Sequence, residues 1–215
     1  MIGILGGTFD PVHYGHLRTA WELCESLDMK ELRLLPCRQP PHRGEPAATP
    51  EQRLAMLERA LTGQRRLRID TRELERPGPS YMVDTLVSLR GELGKTPLAL
   101  VLGADAFAGL ADWHRWERLI ELAHLVVVAR PDGPPSLPGP VAALLARCRV
   151  ADAAALRSAP AGGILETAVT PLAISATAIR AQVAAGRSPR YLLPDAVLAY
   201  IEEEGLYRAP ERTGT

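Results

Sequence analysis

The chain has 215 residues, 25 basic and 25 acidic side chains that cancel to a net charge of zero, and three cysteines. That length buries a core without covalent staples, and the balanced charge leaves no overall footprint for nucleic acid or an anionic membrane surface. Cys24, Cys37 and Cys148 are too few and too far apart for a disulfide framework or a clustered zinc site.

No apolar run reaches spanning length and the N-terminus MIGILGGTFD lacks the basic region of a secretory signal, so the expectation is a soluble cytoplasmic protein. Short apolar runs alternate with amphipathic stretches, the pattern of parallel strands joined by crossover helices. Strands are expected at IGIL (2–5), ELRLLP (31–36), RLRID (66–70), PLALVLG (97–103) and HLVVVA (124–129), with a last strand within 163–170. Apolar residues at helical spacing predict helices over 15–27, 50–61 and 81–93. The stretch RPDGPPSLPGP (130–140) reads as a surface excursion or a soft boundary, and the loop from 131 to 160 matches nothing further. Ser175 is placed to cap a helix through Ala185, and a second helix spans Asp195 to Glu204 and ends at Gly205. The expected fold is α/β: a Rossmann-like, doubly wound, mostly parallel sheet with helices on both faces and a C-terminal helical segment. Residues 1–208 form a single domain in this reading, and the polar tail 209–215 frays.

The first strand runs into GGTFDPVHYGH (6–16), at the edge where an open parallel sheet binds its ligands. Gly6 and Gly7 lack a Cβ, so the chain can turn sharply and bring amides close to a phosphate. His13 and His16 flank Gly15 at the start of the next helix, where both imidazoles could face one phosphate beside unpaired N–H groups. The third glycine of a dinucleotide-binding GxGxxG is missing, and the segment is not a Walker A loop. The same pair could ligate a metal, for which no third ligand is obvious, or could simply pack and cap the helix. Near the other end, ISATAIR (174–180) offers the Ser175 and Thr177 hydroxyls, helix-start amides and the Arg180 fork. Taken alone, it is also an ordinary serine-capped helix start.

GGTFDPVHYGH resembles the signature of the HxGH nucleotidyltransferases, a class that includes the nicotinate mononucleotide, pantetheine phosphate and cholinephosphate enzymes. ISATAIR resembles the ISSTxIR element of that class, with Ala176 where many members carry serine. The resemblance implies that His16 stabilises the pentacoordinate phosphorus during attack, that His13 contacts the same phosphates, and that Arg180 completes the catalytic set. It implies an ATP-binding set of Gly6, Gly7, Thr8, Phe9, His13, His16, Gly103, Asp105, Ile174, Ser175, Thr177 and Arg180, with Asp105 accepting hydrogen bonds from a ribose.

Within the class, chain length and three further segments resemble the nicotinate mononucleotide adenylyltransferases. His42 and Arg43 in PPHRG (40–44) correspond to a basic loop that many members write PPHK and that could close over the polyphosphate. RPGPSYMVDTL (76–86) is similar to a family stretch in which amides after the tyrosine hold the nicotinate carboxylate. That likeness brings Tyr81, Met82 and Thr85 into the acceptor site, with Met82 replacing the usual threonine. In the segment 103–119, Trp113 corresponds to the residue that stacks on the pyridine ring and the His114 amide faces its carboxylate, while Trp116 is read as packing. Without the resemblance, both tryptophans read as core residues on one helix face. Arg130 corresponds to an arginine that contacts the acceptor's phosphate. YLLPDAVLAYIEEEGLY resembles the family's C-terminal ending, so the likeness covers nearly the whole chain.

The reaction implied is AMP transfer from ATP to nicotinate mononucleotide by direct in-line attack, giving nicotinate adenine dinucleotide and pyrophosphate in NAD biosynthesis. Mg²⁺ is expected on the ATP phosphates with no protein metal ligand. The expected partners are ATP and nicotinate mononucleotide, without nucleic acid or membrane; a homo-oligomer is left open. The alternatives are the same transfer to nicotinamide mononucleotide, pantetheine phosphate or a flavin mononucleotide, and a nucleotide-binding module without catalysis.

Overall fold

The computed structural model describes residues 1–40, 44–129, 133 and 135–209. Six strands form one sheet: β1 Ile2–Gly7, β2 Glu31–Pro36, β3 Leu67–Ile69, β4 Leu98–Gly103, β5 His124–Val128 and β6 Ile164–Thr167. Their order is β3-β2-β1-β4-β5-β6, and every neighbouring pair is parallel. The helices are α1 Tyr14–Ser26, α2 Pro50–Ala60, α3 Arg72–Glu75, α4 Met82–Leu93, α5 Ala104–Ala108, α6 Leu119–Leu122, α7 Gly139–Cys148, α8 Ala153–Arg157, α9 Ala176–Ala184 and α10 Asp195–Glu203. This is the Rossmann-like, doubly wound α/β architecture that the alternation of runs predicts.

The strands are apolar on both faces because both faces are covered. Along β4, Leu98, Leu100 and Leu102 pack with Val83, Leu86 and Leu89 of α4 and with Val141 and Leu144 of α7. The intervening Ala99 and Val101 join the opposite core, with Leu23 of α1, Met56 and Leu57 of α2, Ile179 of α9 and Ile201 of α10. In β5 the same alternation sends Leu125 and Val127 to one side and Val126 to the other. Burying each such side chain contributes about 1.5–3 kcal/mol of transfer free energy, so the period-two pattern fixes which helices lie on which face.

The proline-rich stretch differs from its reading as an excursion or boundary. Pro138 caps α7 and Pro140 sits in its first turn, where a missing N–H costs nothing, so these prolines start a helix instead of breaking one. Val141 and Leu144 of that helix are buried in the same core as α4, so the segment is part of the sheet's cover. Two helices, α7 and α8, therefore lie inside the region read as a loop from 131 to 160. The five expected helices, α1, α2, α4, α9 and α10, fall within a residue or two of their expected bounds, whereas the short α3, α5 and α6 lie outside the expected set. Thr49 caps α2, with Thr49 Oγ1 accepting from the Gln52 N–H at 3.3 Å and the Gln52 side chain accepting from the Thr49 N–H at 3.0 Å.

Chain order reverses between β1 and β4, which lie side by side at the centre. Parallel sheets open a crevice beyond the carboxyl ends of the strands at such a point. The chain leaving β1 at Gly7 and the chain leaving β4 at Gly103 form its two lips. Among the described residues, no helix is long and apolar enough to cross a membrane.

Candidate active site

The turn from β1 into α1 is short and mostly buried. Phe9 has a left-handed backbone (φ 51°) and a ring that is 1% exposed, which pins the loop to the core beneath it. Val12 is fully buried, and His13 caps α1 with an extended backbone. His13 and His16 then stack, with ring centroids 3.8 Å apart and planes 25° from parallel. Gly15 is what permits this: a Cβ there would lie 2.9 Å from two atoms of the His13 ring.

The His13 backbone N–H donates to His16 Nδ1 at 3.4 Å, so the neutral His16 ring carries its proton on Nε2. His13 Nδ1 is buried without a hydrogen-bond partner. The amides at this helix start are less available than the sequence suggests: Tyr14 N–H donates to Leu192 O at 3.0 Å, and His16 N–H to His13 O at 2.9 Å. The imidazoles themselves are thus the main donors turned towards a ligand. Burial lowers the His13 pKa to about 4; burial and then the neighbouring His13 lower that of His16 to about 3.

Arg180, one turn into α9, reaches across to this loop. Its Nη1 donates to Asp10 O at 2.6 Å, and its Nη2 lies 3.4 Å from Thr177 Oγ1. Ser175 caps α9 by accepting from Ala178 N–H at 3.2 Å, which leaves its own hydroxyl hydrogen able to donate. All twelve residues expected around ATP, from Gly6 to Arg180, line one cleft of about 940 Å³ at the carboxyl edge of the sheet. Gly44 to Ala47, Thr19 and Val169 to Leu172 also line it.

A second cavity of about 430 Å³ adjoins the cleft and shares Gly6, Gly7, Thr8, Asp105 and Ala106 with it. Tyr81, Met82, Trp113 and His114, four of the residues expected at the acceptor, line this cavity. The Tyr81 and His114 rings lie 4.4 Å apart. Trp113 follows a 3₁₀ turn (Leu110–Asp112), and Trp116 opens another (Trp116–Arg118), so the two indoles do not share a helix face. Thr85 does not line the cavity. It is fully buried and donates to Glu73 Oε1 at 2.6 Å, while Arg76 Nη2 donates to Thr85 Oγ1 at 3.2 Å and to Tyr81 O at 3.3 Å. Thr85 thus braces the turn at Tyr81 from behind. His42, Arg43 and Arg130 lie outside the described residues.

A family model for cytidylyltransferase-like proteins matches residues 4–182. A relative from Pseudomonas putida (strain W619), named "Probable nicotinate-nucleotide adenylyltransferase", is 56% identical over 97% of this chain and 95% of its own length. Relatives of the same name from Methylococcus capsulatus and Halorhodospira halophila are 54% and 52% identical, over 96% and 98% of this chain and 99% and 96% of their own. The chain belongs to the nicotinate-nucleotide adenylyltransferase family. The fold is similar to that of Plasmodium falciparum nicotinic acid mononucleotide adenylyltransferase in complex with NaAD, with a TM-score of 0.71 at 16% identity over 96% of each chain. The complex of that protein with APC gives a TM-score of 0.70.

Three residues that hold this family member's cleft together are missed by motif reading. Asp10, inside the first motif, is 4% exposed; its carboxylate accepts from Ala47 N–H (2.8 Å), Ala48 N–H (3.2 Å) and Tyr207 OH (2.7 Å). Arg53 of α2 is fully buried and donates to Thr8 O (2.8 Å), Ala48 O (3.3 Å) and Arg38 O (3.3 Å), tying three loops of the cleft to one guanidinium. Arg53 is in phase with Met56 and Leu57, so an arginine inside the apolar stripe of α2 is the sequence signal that marks it. Glu73 lines the second cavity, where burial raises its pKa; nothing in its local sequence sets it apart from a solvated acid.

The lowered histidine pKa values predict acid sensitivity. The unfolded chain takes up protons at His13 and His16 near pH 6.5 and the folded chain only near 4 and 3, so stability is lost as pH falls through that interval. A His13→Gln/His16→Gln variant should lose less stability than the parent between pH 6.5 and 4 in urea titrations. Parallel losses would show that the stacked pair is not held neutral.

Proposed function

We propose that this chain transfers AMP from ATP to nicotinate mononucleotide, forming nicotinate adenine dinucleotide and pyrophosphate, with residues 1–208 acting as one nucleotidyltransferase domain in the cytoplasm. The observation that carries this reading is the joining of two cavities: a cleft holding two stacked imidazoles and the Arg180 guanidinium opens into a pocket walled by Tyr81, Trp113 and His114. The names of relatives more than 50% identical support the same substrates.

In this mechanism an oxygen of the acceptor's phosphate attacks the α phosphorus of ATP in line, and the bond from that phosphorus to the bridging oxygen breaks, releasing pyrophosphate. His16 donates from Nε2 to the α phosphoryl oxygens as charge builds on them, and His13 donates beside it. Arg180, Ser175 and Thr177 meet the β and γ phosphates, and Asp105 accepts from a ribose hydroxyl. Mg²⁺ enters with ATP as part of the substrate, held by phosphate oxygens and water. Among the described residues, no group of three or more His, Cys, Asp or Glu side chains is gathered to hold a metal ion.

The chemistry needs no covalent enzyme intermediate. Burial pushes the Cys24 thiol up to about 11 and raises that of Cys37 as well, so neither is a thiolate at neutral pH. On the acceptor side, Trp113 stacks on the pyridine ring, and the amides after Tyr81 and at His114 face its carboxylate. His42, Arg43 and Arg130 supply cationic contacts for the acceptor. Thr85 acts from behind, by holding the Tyr81 turn.

Three measurements test this reading. Purified protein with Mg²⁺ and ATP should release pyrophosphate with nicotinate mononucleotide, and faster than with nicotinamide mononucleotide or pantetheine phosphate; no release with any of them rules out the enzyme. His16→Ala should lower turnover by roughly tenfold to a hundredfold or more while its thermal midpoint stays near that of the parent. Trp113→Ala should raise the KM for the acceptor by roughly threefold to tenfold with the KM for ATP nearly unchanged. Equal rises in both KM values would place Trp113 in the core instead.

A further inference from the structure

Tyr207 contacts Asp10 in the wall of the cleft. Just past α10, Gly205 adopts a left-handed backbone (φ 62°), and two residues later Tyr207 does so as well (φ 63°). The first is what glycine is suited for; the second is unusual for a residue with a Cβ and is held here by tertiary contacts. The double turn sends the Tyr207 phenol back under the sheet edge, where its OH donates to Asp10 Oδ1 at 2.7 Å and lies 4.0 Å from Met56 Sδ. This hydrogen bond joins residues 197 positions apart.

The other side of Asp10 faces Arg180. Arg180 Nη1 rests on the Asp10 carbonyl oxygen at 2.6 Å and passes the carboxylate Oδ2 at 3.8 Å, beyond hydrogen-bond distance. Three donors hold the carboxylate at that ion-pair separation and keep it from closing to a hydrogen bond: the phenol, the Ala47 amide and the Ala48 amide. Removing the phenol leaves Oδ1 with one amide and frees the carboxylate to rotate. The nearest cation waiting for it is Arg180.

We propose that Tyr207 is a positioning residue for the triphosphate: by occupying Asp10, it keeps that carboxylate from capturing the Arg180 fork. This inference rests on the reading that Arg180 meets the β and γ phosphates. The same hydrogen bond fixes the entry to the histidine turn, since buried Pro11 and Val12 alone separate Asp10 from His13. Burial first, and then the Asp10 carboxylate, push the phenol's pKa up, so Tyr207 remains a donor at any pH where the protein folds.

The test is calorimetric titration of the whole chain and its Tyr207→Phe variant with ATP and with AMP, in Mg²⁺ and without acceptor. Phenylalanine keeps the ring and deletes only the donor. The Kd for ATP should rise roughly threefold to tenfold, the net scale of one ordinary hydrogen bond, while the Kd for AMP, which lacks the β and γ phosphates, stays within about twofold. Equal weakening of both nucleotides would mark a general structural role and overturn the proposal, and so would unchanged ATP binding. In an Arg180→Ala background, Tyr207→Phe should add almost nothing to the loss of ATP affinity; additive losses would show that it does not act through Arg180. Because no acceptor is present, a chain that binds ATP in this way but releases no pyrophosphate with nicotinate mononucleotide would refute the proposed reaction and leave the Tyr207 inference standing.

Discussion

Two imidazoles can lie 3.8 Å apart in a buried turn only if they are not both charged and nothing stands between them and the backbone. The first condition is met by burial, which holds both rings neutral well below their ordinary range. The second is met by Gly15, the one position in the turn where a Cβ would strike the His13 ring. The rest of the site is arranged around this stack. An uncharged pair of donors at a helix N-terminus carries no cationic repulsion of its own, and its field strengthens only when phosphate charge arrives. In the proposed reaction such a turn is preorganised for a developing oxyanion, and little of the protein has to move when that charge appears.

The sheet supplies the place and remote contacts supply the stiffness. Because chain order reverses between β1 and β4, the histidine turn and the Gly103–Asp105 lip face each other across a crevice. Segments far from either lip then lock the first loop. Arg53 ties Thr8 to the loops at Arg38 and Ala48, and Asp10 ties the same loop to Ala47, Ala48 and Tyr207. A fully buried guanidinium bonded to three carbonyls is costly to desolvate, and its position is correspondingly well defined once formed. The loop can therefore deliver His13 to the start of α1, and His16 to its first turn, in a fixed position.

The parts legible in the sequence are those that obey a period or a motif. Apolar runs of about six residues announce the strands, because parallel strands covered on both faces have no polar side to alternate with. Helical spacing announces α1, α2, α4, α9 and α10. His13, His16 and Arg180 are recognisable because they lie in two motifs, although 164 residues separate the last two in the chain and only the fold brings them into one cleft. What escapes is what depends on a partner elsewhere. Asp10 and Tyr207 look unremarkable apart and acquire meaning only through their hydrogen bond. Thr85 is read as a contact residue from its motif, yet its hydroxyl is spent on Glu73, so its influence on the second cavity passes through the Tyr81 turn. In α7, local chemistry points the wrong way: proline and glycine suggest a break, whereas at the first turn of a helix they are tolerated and the buried Val141 and Leu144 decide the outcome.

The two cavities also divide the work by the character of their walls. The larger is lined by glycines, hydroxyls, imidazoles and the Arg180 guanidinium, together with the acidic side chains of Asp10, Glu45 and Asp105. The smaller is walled by Tyr81, Trp113, Met82, Leu100 and Leu102, with a buried Glu73 whose carboxyl is engaged by Thr85. An aromatic slot of that kind favours a flat ring, while an acid in its wall opposes any anionic group that does not meet the amides at the Tyr81 turn. The position of that turn depends on a brace of Arg76, Thr85 and Glu73, so the amides facing the slot are placed by side chains behind it.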